Sequence, residues 1–71
     1  MSGFEVSVWF ERDRKSLILT KDGEDVIALL DDAVDEAIED GYLTPPHHPR
    51  PTDDMWLQPM VDFARSVGAL T

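Results

Sequence analysis

Between Asp22 and Asp40 the chain carries nine carboxylates, Asp22, Glu24, Asp25, Asp31, Asp32, Asp35, Glu36, Glu39 and Asp40, and neither a lysine nor an arginine. Acids at this density can attract and orient a cationic surface, which is binding chemistry. Catalytic groups are poorly assembled by comparison. Ser2, Ser7, Ser16 and Ser66 stand apart from His47 and His48, and there is neither a glycine-rich phosphate loop nor a Gly-x-Ser-x-Gly turn. A chain of 71 residues also has little room for a pocket of several hundred cubic ångströms. A non-enzymatic protein is the expectation.

The two adjacent histidines do not make a metal site. Side chains next to each other on an extended segment point in different directions, and no cysteine or His-x-x-x-His pair completes a ligand set. No metal and no cofactor are expected. Pro46-His47-His48-Pro49 matches the PxxP pattern of polyproline ligands, a short pattern that is also common in connectors.

The elements that position the acids follow from periodicity. Residues 4 to 11 alternate, with Phe4, Val6, Val8 and Phe10 on one face and Glu5, Ser7, Trp9 and Glu11 on the other, as in a half-buried strand. Residues 12 to 15 are a polar break with Arg12, Arg14 and Lys15, and Ser16 to Thr20 is a second β-rich run. The pair predicts an antiparallel hairpin over about 4 to 20 with a basic tip. Asp22 suits an N-cap, and Val26, Ile27, Leu30, Ala33, Val34, Ala37 and Ile38 follow helical spacing within an arc of about 120°. A long acidic amphipathic helix over about 23 to 40 is therefore predicted, ended by Gly41 with Tyr42 or Leu43 folding back on the last turn.

Residues 44 to 51 hold four prolines and form a stiff connector. Thr52 offers an N-cap to a C-terminal helix over about 53 to 67, with Trp56, Met60, Phe63 and Val67 in one stripe beside Leu57 and Ala64. Pro59 predicts a kink, or one turn at 53 to 57 followed by a helix that restarts with Pro59 in its first turn. Gly68 ends it. The fold class expected is α+β: a single small domain, 1 to 71, in ββαα order.

Composition sharpens the functional reading. A net charge of −9 on 8.0 kDa disfavours direct contact with nucleic acid or anionic membrane, because both require a surplus of Lys and Arg, and it favours a basic protein partner. There is no cysteine to imply an oxidising compartment, and the N-terminus lacks the basic region and apolar run of a secretory signal. A soluble cytoplasmic protein is expected.

An acidic face can be a solvated surface and nothing more. Two costs point further on the predicted helix. Asp31 with Asp35, Asp32 with Glu36, Asp35 with Glu39 and Glu36 with Asp40 are like-charge pairs at spacing four, together worth about 1 to 2 kcal/mol of destabilisation. Glu36, Glu39 and Asp40 crowd the negative end of the helix dipole. For a domain whose core leaves only about 3 to 5 kcal/mol, such charges suggest use.

The leading expectation is an inhibitor that occludes a basic, nucleic-acid-processing partner by mimicking a phosphate backbone, in the manner of an immunity protein, an antitoxin or a phage anti-defence protein. Its candidate partner-binding residues are Asp31, Asp32, Asp35, Glu36, Glu39, Asp40 and Trp9. Two placements of Trp9 compete: burial beneath the second helix, or exposure as an aromatic anchor. The alternative of a different class is a small structural or adaptor subunit, a homodimer assembled through the hairpin and Trp9. The basic tip reads as a solvated turn that discourages edge pairing, or as a group that meets the acidic helix of a neighbour.

Overall fold

Asp22 and Gly23 redirect the chain where the sequence predicts a helix to begin. In the computed structural model, which describes residues 3–70, both have positive φ, 53° and 84°. That combination belongs to the two-residue hairpin turn whose twist matches antiparallel strands, and Asp-Gly is a favoured pair for it. Lys21 and Glu24 pair across the turn. The result is a third strand. β1 (Phe4–Phe10), β2 (Lys15–Lys21) and β3 (Glu24–Leu30) form an antiparallel sheet in the order β1-β2-β3.

The helix expected over 23 to 40 is thus corrected to α1 (Asp32–Glu39), and the ββαα order to three strands followed by helices. Asp22 is a turn residue, not an N-cap. The misreading has a physical source in the register, where Leu19 faces Ile27 and Thr20 faces Asp25, leaving Val26 as an extra residue in β3. A bulge of this kind breaks the alternation of two. Val26 and Ile27 both pack on the core, and adjacent inward residues imitate a helical stripe. The β-branched pair also suits a pleated strand, and a third strand supports a hairpin that is marginal alone. The small α+β class holds.

α1 follows β3 through Asp31, whose φ of 49° makes it a non-glycine residue in left-handed space. The helix ends as expected. Gly41 has φ 81°, its N–H donates to Ile38 O, and Tyr42 N–H donates to Ala37 O. This paired closure satisfies carbonyls that would otherwise lack partners. Leu43, not Tyr42, folds into the core, where it is 1% exposed.

After the connector, a 3₁₀ turn (Asp53–Trp56) leads into α2 (Leu57–Ser66). Pro59 therefore lies in the first turn of α2, where its missing N–H has no intrahelical partner to lose. Gly68, with φ 78°, closes α2 through the same pair of bonds: Gly68 N–H to Arg65 O and Ala69 N–H to Ala64 O. Of the predicted stripe, Trp56, Met60, Phe63 and Ala64 are buried, whereas Val67 is exposed.

Both helices cover one face of the sheet: α1 touches β2 and β3, while α2 touches β1 and β2. Leu17 and Leu19 of the central strand are fully buried and join Leu29, Val34, Ala37, Leu43, Trp56, Met60, Val61, Phe63 and Ala64 in one cluster. Phe10 meets Trp56 edge to face at 5.4 Å between centroids, which ties the end of β1 to the 3₁₀ turn. The opposite face of the sheet carries Trp9, Ser16, Ile18, Ala28 and Leu30, by register with the inward residues.

Candidate partner-binding surface

α1 turns Val34 and Ala37 into the core and leaves Asp32, Asp35, Glu36 and Glu39 exposed. At about 100° per residue these four span roughly 100° of the outward side. A carboxylate face on a helix is thus present, but it is shorter than the sequence suggests. Asp22, Glu24 and Asp25 belong to the β2–β3 hairpin instead.

The new helix start changes the energetics. Asp32 and Asp35 fall in the first turn, where the positive end of the dipole favours acids. Asp31 lies outside the helix, so its spacing of four to Asp35 is not a helical like-charge pair. Glu39 is the last helical residue and Asp40 the C-cap, with no basic residue in the last turn. The locally unfavourable charge is concentrated at that C-terminal end.

The basic tip is tied to this same chain's acids. Lys15 N–H donates to Asp31 Oδ1 at 3.1 Å, Asp31 N–H donates to Lys15 O at 2.8 Å, and Lys15 Nζ donates to Asp35 Oδ1 at 2.8 Å. Asp31 therefore extends the β2–β3 ladder by one pair and spends its carboxylate on a strand, leaving the helix without a side-chain cap. Arg12, Asp13, Arg14 and Lys15 form a notch with Asp31, Asp32 and Asp35, of about 180 Å³. Residue spacing could not reveal the match of Lys15 to Asp35, which are 20 positions apart and meet only once β3 exists.

Trp9 is 58% exposed. The reading that buries it beneath the second helix is overturned, because α2 packs on the face of Val6 and Val8 and Trp9 points the other way. Trp9, Arg14, Lys15, Ser16, Leu30 and Asp31 line a shallow depression of about 440 Å³ on the outer face. Asp31 borders both this depression and the charged notch. The structure consequently brings Trp9 and Asp31 together at the depression, and Asp31 together with Asp32 and Asp35 at the notch. Glu36, Glu39 and Asp40 lie further along α1. Leu30, 56% exposed, is the residue of this region that the helical reading hid.

His47 and His48 are exposed in the connector, where His48 Nδ1 accepts the Arg50 N–H at 3.0 Å. Among the described residues no helix is long and apolar enough to cross a membrane. No protein-family model matches the chain, and neither the curated proteins nor the solved structures contain a match to it.

Proposed function

We propose that this chain is a non-enzymatic acidic binding protein that inhibits a basic, nucleic-acid-processing partner by occluding its surface, in the manner of an immunity protein, an antitoxin or a phage anti-defence inhibitor. The observation that carries the reading is the density of exposed carboxylates on α1. Asp32, Asp35, Glu36 and Glu39 occupy a helix of eight residues, about 12 Å long at about 1.5 Å per residue. That is about one charge per 3 Å, close to the roughly 3.4 Å per phosphate along one DNA strand. Lys15 neutralises part of Asp35 only at the N-terminal end, so the contact centres on Glu36, Glu39 and Asp40. A toxin or nuclease with a Lys- and Arg-lined groove is the fitting partner, met in the cytoplasm, with no direct contact to nucleic acid or membrane.

The test is capture of partners from host lysate at low and high salt, followed by inhibition assays on what is identified. Charge-driven binding loses association rate as ionic strength rises. Reversal of Asp32, Glu36 and Glu39 together to Lys should abolish it, and full affinity in that variant would rule the reading out. A structural or adaptor role is the second reading, and the exposure of Trp9 supports it.

A further inference from the structure

We propose that the free edge of β1 takes an extended, cationic segment of a partner protein as a fourth strand, seated in the groove between Phe4 to Val6 and the start of α2. The backbone bonding fixes which groups the edge offers. Asp22 N–H donates to Gly3 O and Glu11 N–H donates to Arg14 O, at the two ends of an unshifted β1–β2 register. The odd-numbered residues of β1 therefore bond to β2, and the N–H and C=O groups of Phe4, Val6, Val8 and Phe10 point to the free side. Sheet order leaves no described strand there, and among the described residues no backbone bond from another element reaches these groups. The edge of β3 is different, because its register shifts beside Val26 and a bulge discourages pairing.

Part of this edge borders a groove. Phe4, Glu5 and Val6 on one side and Asp53, Asp54 and Leu57 on the other enclose about 420 Å³, within the range of roughly 300 to 1,000 Å³ that holds ligands. Phe4, Val6 and Leu57 are half-buried against the core, whereas Glu5, Asp53 and Asp54 are exposed. An apolar lining thus lies beside unpaired backbone groups, with carboxylates on both sides. Lys21, the cation next to Phe4, sits over its ring at 5.3 Å and belongs to β2, the paired side, so the open side is left to the acids.

Charge selects the occupant. A second copy of this chain would bring carboxylates against carboxylates at the edge, which is destabilising. A segment that alternates apolar and basic residues is complementary. Running antiparallel, like the rest of the sheet, it sets its apolar side chains beside Phe4 and Val6 on the inner face and a Lys or Arg opposite Glu5 on the outer face. Asp53 and Asp54 offer the segment a second acidic wall. Main-chain bonds to Phe4 and Val6 supply affinity, and the alternation supplies specificity. The inference does not rest on the inhibitor reading, because α1 packs on β2 and β3 whereas this groove lies between β1 and the 3₁₀ turn that leads into α2.

The test titrates the ¹⁵N-labelled full chain with an acetylated, amidated pentapeptide of sequence Lys-Val-Lys-Val-Lys and follows its amides by NMR. The amide protons of Phe4 and Val6 should shift downfield and exchange more slowly with solvent, while those of Glu5 and Ser7, already bonded to β2, should exchange as before. Methylating the two valine nitrogens of the peptide removes the donors that face β1 and should abolish both effects, although the charge is unchanged. Val6→Pro removes an edge donor without breaking a β1–β2 bond and should abolish the slowed exchange at Phe4. Circular dichroism verifies its fold, and the methylated peptide makes the same test on the unaltered chain. Glu5→Lys should weaken binding by about fivefold or more, as for a cross-strand pair turned repulsive. The proposal is overturned by a chain unaffected by millimolar peptide, by equal effects from the methylated peptide, by affinity indifferent to Glu5→Lys, or by shifts confined to Glu36, Glu39 and Asp40. That last outcome would leave the α1 reading standing, so the two proposals fail separately.

Discussion

Lys15 Nζ lies 2.8 Å from Asp35 Oδ1, joining the first residue of the central strand to the first turn of the acidic helix. Lys15 thereby takes up one carboxylate of the surface proposed to meet a cationic partner. Both side chains are about half exposed, so solvent screens the pair.

Lys15→Ala is expected to cost less than about 1 kcal/mol in urea denaturation, the range of exposed ion pairs. The same change adds one unit of net negative charge and frees Asp35. Association with a basic partner should become faster at low salt, measurable by stopped-flow mixing.

Glu39→Lys should separate stability from binding. A cation at the C-terminal end of α1 complements the dipole, by about 0.3 to 1 kcal/mol, and replaces the like-charge pair with Asp35 by an attractive one, a few tenths more. The variant should melt higher and bind a basic partner more weakly. A loss of stability would show that Glu39 makes a favourable contact in the folded state.

Gly23→Ala probes the turn that makes β3. A Cβ there would meet nothing within 4 Å, so the penalty is backbone strain alone at φ 84°. About 1 to 2 kcal/mol of destabilisation is expected for an L-residue in left-handed space. Asp22→Asn should be nearly neutral, since Asn-Gly serves the same turn. Equilibrium unfolding of the two variants makes the comparison.

Trp56 is buried against Phe10, and among the described residues its indole Nε1 has no hydrogen-bond partner. Trp56→Phe removes an unpaired donor worth about 1 to 3 kcal/mol, which offsets the apolar area lost. The change should stay within about 1 kcal/mol, whereas Met60→Ala, at a fully buried site, should cost about 2 to 5 kcal/mol. Trp56→Phe also leaves Trp9 as the sole tryptophan, and its emission should be that of an indole in water at low concentration.

Local signals were legible wherever one residue type dictates one backbone state. Gly41 and Gly68 close their helices and the alternation of Phe4 to Phe10 marks a strand, whereas Pro59 allows either a kink or a restarted helix, and only the fold selects the restart. Asp22-Gly23 is itself a hairpin signal, but the apolar residues that follow it have helical spacing. The bulge at Val26 made a strand look helical by turning two successive residues inward.

The sequence by itself determined the α+β class and the outward acids of residues 32 to 39, because each depends on residue type and short-range period. Only the tertiary structure decided that β3 exists, that Lys15 reaches Asp35, and that Trp9 and Leu30 share an open face. These relationships join residues far apart in the chain. They are fixed by strand register and by which face the helices cover, and neither is encoded in any one window of sequence.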